Sequence, residues 1–128
     1  METKGVVIDT GIFIEFLRAK DKTKTALYKL PDEANIFISA VTYYELLIGA
    51  TTQEKHNDIK LLTEDLSILP FNADVASKAA EIYHLLKRSN NLIEFRDIFI
   101  AATCLVNDVE ILTLNKKHFE RIEGLRVA

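Results

Sequence analysis

The sequence is poor in the residues that build loop-rich, cross-linked or membrane-embedded proteins. It has one cysteine, Cys104. A lone thiol cannot close an internal disulfide, which fits a reducing, cytoplasmic setting. Four glycines and two prolines leave little room for a loop-dominated fold. No apolar run reaches the roughly 18 residues that a membrane-spanning helix requires. The opening METKGVVIDTGIFIEFL lacks the basic leader and unbroken apolar stretch of a secretion signal. Positive charge is not in excess either: the formal net charge is −3. No global basic field advertises a nucleic-acid partner, so any contact with RNA or DNA must come from a local patch or a metal ion. There are no repeats, linkers or low-complexity segments. What remains is a chain of 128 residues, 48% hydrophobic and 27% charged. That is enough for one domain, residues 1–128, with a real core.

Short β-like runs alternate with helical patterns. The runs are Val6–Ile8, Ile36–Ile38, Ile68–Leu69 and Ile111–Leu112, with Leu125–Val127 as a fifth that closes the chain. Between them the spacing predicts helices over 12–18, 22–30 (stopping at Pro31), 40–50 behind the N-cap Ser39, 53–66, 73–89 behind Asn72, and 95–107. In the 73–89 segment Val75, Ala79, Ile82 and Leu86 recur at helical spacing. The segment Ile98–Val106 is apolar nearly all round, so its helix is expected to be buried. This alternation predicts an α/β fold, a central parallel sheet with helices on both faces. Ligands of such sheets sit beyond the carboxyl ends of the strands, and Asp9 lies at such an end.

Three carboxylates stand alone in apolar surroundings. Asp9 interrupts VVIDTGIFI, Glu45 is the one charge in AVTYYELLIGA, and Asp97 immediately precedes IFIAATCLV. Each has an ordinary structural role available. Asp9 can cap the following helix, Glu45 can point outward, and Asp97 can favour a helix N-terminus. If the three converge, they raise one another's pKa unless a cation neutralises them. A nearby arginine or lysine can do this, and a hard divalent ion does it better. All-oxygen ligation suits Mg²⁺, with Mn²⁺ as a substitute. His56, His84 and His118 are scattered and Cys104 falls in an apolar helix, which disfavours zinc. Thr113 and Asn115 end the last clear strand as Asp9 ends the first. Asn115 can hold a metal-bound water or cap the short helix that follows.

The ordered set VIDT, TYYEL, RDIFIAAT and LTLNKKHF resembles the PIN-domain ribonucleases, and among them the VapC-type toxins of type II toxin–antitoxin pairs. The likeness runs from Val7 to Val127 and implies a single PIN-like nuclease domain. By this resemblance Asp9, Glu45 and Asp97 take the places of the family's acidic metal-binding residues. Thr10 and Thr113 match its hydroxyl positions, and Asn115 stands where many relatives carry a fourth acid. Glu94, three residues before Asp97, is the candidate compensating acid if the helix begins early; its plain role is an exposed first-turn carboxylate. Gly11 stands where relatives often have asparagine.

The implied reaction is hydrolysis of RNA phosphodiesters by a metal-activated water, with Asp9, Glu45 and Asp97 holding the ion and Asn115 orienting water. Basic residues cluster in RAKDKTK, at Lys87–Arg88 and at Lys116, Lys117 and Arg121. Arg96 and Lys116 adjoin the acids and are the candidate phosphate contacts. The resemblance also implies a cognate antitoxin protein, for which Phe13, Phe16, Leu17, Leu27, Tyr28 and Leu30 are expected either to line a groove or to belong to the core. It implies a homodimer as well.

Three rivals remain at the level of sequence. DTG is the triplet of aspartic proteases, but their fold is all-β and IFIEFLRAK reads as helix. A phosphatase with an aspartyl nucleophile would place a second aspartate at position 11, where Gly11 stands. A PIN domain of another kind, one that processes RNA without toxicity or has degenerated into a binder of RNA or a partner, is left open by Asn115.

Overall fold

Consecutive apolar residues in a strand have one consistent arrangement, a sheet covered on both faces. The computed structural model describes residues 5–128; residues 1–4, the start of the expected domain, lie outside the described residues. Its strands are β1 (Val6–Ile8), β2 (Ile36–Ser39), β3 (Ser67–Leu69) and β4 (Glu110–Leu112). They pair in parallel in the order β3-β2-β1-β4. The expected fifth strand is reduced to a single parallel bridge between Val127 and Ile111. Leu125 N still bonds Ile122 O in a turn, so only the last three residues are left to pair.

The helices are α1 (Thr10–Arg18), α2 (Ala40–Gly49), α3 (Gln53–Thr63), α4 (Ala73–Arg88), α5 (Phe95–Asn107) and α6 (Lys116–Phe119). Side-chain oxygens start several of them by accepting from otherwise unpaired backbone N–H groups. Ser39 accepts from Thr42 N at 3.0 Å, Asn72 from Val75 N at 3.0 Å and Thr52 from Lys55 N at 3.2 Å. The helix expected over 22–30 does not form. Lys22–Lys24 make one 3-10 turn and further turns follow. Thr25 Oγ1 takes Lys22 O (2.6 Å) and Glu15 accepts from Ala26 N (2.8 Å). These side-chain bonds occupy backbone groups that a helix would need.

The two-residue period of β1 sorts its side chains between two cores. Val7 faces α4 and α5, where Val75, Ala79, Ile82, Ile98 and Phe119 pack. Val6 and Ile8 face the other way, onto Ile12, Phe13, Leu46 and Ile59 of α1, α2 and α3. Each fully buried side chain of this size contributes about 1.5–3 kcal/mol. Cys104 is buried in α5. Burial pushes its thiol well above the ordinary range, so it packs as a small apolar group. At the start of β1 the backbone runs so close to β2 that a Cβ on Gly5 would stand 2.5 Å from Asn35 O. A parallel sheet with this many helices excludes the protease fold. Among the described residues no helix is long and apolar enough to cross a membrane.

Strand order sets the position of the site. The chain moves from β1 to β2 on one side and returns to pair β4 on the other. The carboxyl ends of β1 and β4 therefore flank a switch point, where an open parallel sheet leaves a crevice.

Candidate active site

Asp9 follows β1 and is the N-cap of α1. Its Oδ1 accepts from Thr10 N at 2.8 Å, so the capping role is real. The carboxylate does more than cap: Oδ2 accepts from Thr113 Oγ1, just beyond β4, at 2.8 Å. Glu45 lies in the middle of α2, which leaves the carboxyl end of β2 through Ser39. Its Oε1 accepts from Thr10 Oγ1 at 2.7 Å, and Thr42 Oγ1 stands 3.1 Å from the same hydroxyl. Asp97 sits in the first turn of α5, with its side chain only 2% exposed. Three segments far apart in sequence thus deliver carboxylates to one place.

The side chain that joins them is Arg96. Its Nε donates to Glu45 Oε2 (2.8 Å), its Nη2 to Asp9 Oδ1 (2.9 Å) and Glu45 Oε1 (2.9 Å), and its Nη1 to Asp97 Oδ1. Nη2 also reaches Thr10 Oγ1 at 3.1 Å. The planar fork of a guanidinium is suited to bridging several carboxylates in this way. No buried side-chain nitrogen or oxygen among the described residues lacks a partner.

The electrostatics follow from burial and from this bridge. Burial works to raise the Glu45 carboxyl, but hydrogen bonds from Arg96 and Thr10 and the guanidinium charge outweigh it, and the net shift is downward. Burial likewise opposes the charge on Arg96, yet its bonds to Glu45 and Asp9 hold it above its ordinary value, so it stays a cation. Asp97 is raised. Burial dominates there, the charge of Asp9 adds to it, and His118 and Arg96 offset only part. Three carboxylates against one guanidinium leave a formal excess of two negative charges, which draws cations to the pocket.

Asn115 does not cap α6: its side chain makes no cap bond. Its backbone N donates to Thr113 Oγ1 at 3.0 Å, and its amide meets His118 Nδ1 at 2.6 Å. The same ring nitrogen lies 3.0 Å from Asp97 Oδ2. His118 Nδ1 thus stands between the Asn115 amide and the buried acid, able to donate to Asp97 or to accept from Asn115 according to its tautomer, a place that its scattered position among the histidines concealed. The available signal was its position three residues after Asn115 on a short helix, which puts both on one face.

Not every expected residue joins. Glu94 starts α5 but is exposed and makes no side-chain cap bond. Lys116 opens α6 and is exposed. Arg96, expected to meet substrate phosphate, is instead bound to all three acids. Of the basic clusters, Lys22 is tied to Phe16 O at 2.7 Å, and Arg121 reaches the carbonyls of Asn91 and Leu92. The six apolar residues expected of a groove divide. Phe13 is core, and Leu17, Leu27 and Leu30 pack against it. Tyr28 is exposed. A groove of about 320 Å³ does run beside the site, with Leu17 the one member of that set in its wall, joined by Ile14, Leu46, Ala50 and Ile59.

Comparison with known proteins agrees with this architecture. The family model described as PIN domain matches residues 6–125. Ribonuclease VapC1 of Rickettsia felis is 33% identical over 130 residues, spanning 96% of this chain and 94% of that protein. Ribonuclease VapC1 of Methanocaldococcus jannaschii is 28% identical over 128 residues, 98% of this chain and 88% of the relative. Among solved structures, VapBC-1 of nontypeable Haemophilus influenzae superposes with a TM-score of 0.82 at 27% identity, covering 96% of both chains. DNA-bound VapBC of Salmonella typhimurium gives a TM-score of 0.85 at 23% identity, 97% and 96% covered, a likeness of fold. Matched along nearly its whole length, the chain belongs to the PIN-domain family, among the VapC-type proteins.

Proposed function

We propose that this chain is a metal-dependent endoribonuclease and the toxin of a toxin–antitoxin pair. The observation that carries the reading is the meeting of Asp9, Glu45 and Asp97 at the switch point of the sheet with two negative charges in excess. The donor set fits the ion. It consists of carboxylate, hydroxyl and amide oxygens, the chemistry preferred by Mg²⁺ and by Mn²⁺ in its place. Among the described residues no three Asp, Glu, His or Cys side chains already stand as a ligand set; the acids are turned onto Arg96.

Asp9, Glu45 and Asp97 would hold the metal, which when bound supplies a water of lowered pKa and polarises the scissile phosphate. The rest is done by the protein. Thr113 and Thr10 fix the Asp9 and Glu45 carboxylates by direct hydrogen bonds. His118 and Asn115 brace Asp97 and present an amide that can orient water. Of the two expected phosphate contacts, Lys116, exposed at the start of α6, is the one offered to RNA, while Arg96 is engaged by the acids. Few phosphates are neutralised, so the salt dependence of RNA binding is shallow.

The names and titles of the relatives, ribonucleases and VapBC complexes, support an RNA substrate and a cognate antitoxin as partner. The groove formed by Ile14, Leu17, Leu46 and Ile59, with Arg18, Lys55 and Asp58 also in its wall, is one surface available to such a partner. A homodimer in the cytoplasm completes the proposal. The second reading, a PIN domain that binds RNA or a partner without cutting, rests on Asn115 in place of a fourth acid.

The test is RNA cleavage by the purified protein with Mg²⁺ or Mn²⁺, with EDTA, and with Asp97→Asn. Activity surviving EDTA rejects the metal mechanism, and full activity in Asp97→Asn rejects the site. Growth arrest on expression, relieved by an adjacent small gene, tests toxicity separately.

A further inference from the structure

The acid cluster carries its own cation. All six carboxylate oxygens of Asp9, Glu45 and Asp97 are engaged, and Arg96 donates to four of them: Asp9 Oδ1, both oxygens of Glu45, and Asp97 Oδ1. The other two face Thr113 and His118. A magnesium ion requires oxygens at about 2.0–2.1 Å in near-octahedral array. Each of these oxygens keeps a second lone pair, but the guanidinium lies against four of the six, and two cations sharing one small pocket repel. The two cations therefore compete for the same acids.

Arg96 is built to leave. It is tethered next to Asp97 at the start of α5, and its side chain is 28% exposed, against 7% and 2% for Asp9 and Asp97. It also lines a cleft of about 390 Å³ with Tyr44, Phe71 and Phe99. Faces of aromatic rings accept a guanidinium favourably.

On the reading that a divalent ion works here, we propose that Arg96 is the resident cation of the metal-free pocket and that the metal enters by exchange with it. The same three carboxylates then serve two cations in turn. The metal-free protein escapes like-charge repulsion, and metal loading frees a positive charge at the mouth of the site where RNA would lie. Arg96 is thus a positioning residue whose placement reports the state of the pocket.

The measurement is nuclear magnetic resonance of the arginine Nε–H groups in the wild-type protein, titrated with Mg²⁺ alone, with calorimetry of Mg²⁺ binding to wild type, Arg96→Gln and Arg96→Lys. The Arg96 Nε–H is expected to be shielded from solvent exchange without metal and to exchange at least about tenfold faster at saturation. Arg96→Gln is expected to bind Mg²⁺ about tenfold more tightly, because two or more charge-assisted bonds no longer compete. Arg96→Lys, a single point donor, falls between. An Nε–H that stays shielded while calorimetry registers bound metal overturns the exchange and leaves the metal reading standing. Binding by Arg96→Gln no tighter than wild type does the same. If none of the three proteins binds Mg²⁺, both the exchange and the metal reading fail. The wild-type experiment needs no variant to fold.

Discussion

The α4–α5 side of the sheet and the carboxyl end of its strands meet within one residue, Asp97 and Ile98, yet they hold together by different physics. On the first, Val75, Ala79, Ile82, Leu86 and Ile98 bury apolar surface. That attraction has no direction and scales with area. At the second, Asp9, Thr10, Thr42, Asp97 and Thr113 are all buried, and each depends on a particular neighbour at a particular angle. Packing losses are local and graded. In a polar cluster the loss depends on which member goes: removing a donor leaves its acceptor buried and unsatisfied, whereas neutralising a buried charge also lifts a desolvation cost.

The comparison can be broken by separating stability from metal response. Phe119→Ala, in the apolar core, is expected to cost about 3–5 kcal/mol in urea unfolding, while Mg²⁺ affinity of the folded fraction stays unchanged. A fall in affinity to match would show that core and site are one unit. Asp97→Asn is expected to lower RNA cleavage at least about 100-fold. Because burial holds the Asp97 carboxyl above its ordinary range, the same variant is expected to leave the metal-free protein as stable as the parent or more so. A large loss of stability would show that the charge of Asp97 holds the fold.

Two smaller effects sharpen the contrast. Thr113→Val removes the donor to Asp9 Oδ2. It is expected to lower metal-free stability by about 1.5 kcal/mol and Mg²⁺ affinity about tenfold. Ile111→Val, two residues earlier in β4, costs about 0.5–1.5 kcal/mol with no change in affinity. The last effect is pH dependence without metal. Glu45 is held below its ordinary 4.5, so its contribution is present above that pH and is lost as pH falls through its folded value. Asp97, raised above 3.8, acts oppositely: its ionised form is penalised, and the penalty lifts as pH falls through its folded value toward 3.8. The stability difference between Asp97→Asn and the parent should therefore shrink on acidification, read by urea unfolding at a series of pH values.

Much of this arrangement could be read along the chain because it is periodic. Val75, Ala79, Ile82 and Leu86 announce a helix face, and the strand runs announce a doubly covered sheet. The failures came where side chains compete with the backbone. Thr25 and Glu15 unmade the helix expected over 22–30, and a late turn left Leu125–Val127 a single bridge. In the candidate site, the isolation of Asp9, Glu45 and Asp97 in apolar sequence was visible. The bond of His118 to Asp97, 21 positions earlier, was not, because hydrogen-bond partners across the fold leave no mark in local spacing.

Along the chain, three carboxylates stand in apolar sequence, and if they converge a positive charge has to answer them, since an unpaired buried ion is costly. Only the tertiary structure decided which charge. It brought Arg96, the neighbour of one acid in the chain, within hydrogen-bond reach of two others 51 and 87 positions away. Charge balance can be counted along a chain, whereas direction and distance exist only after folding.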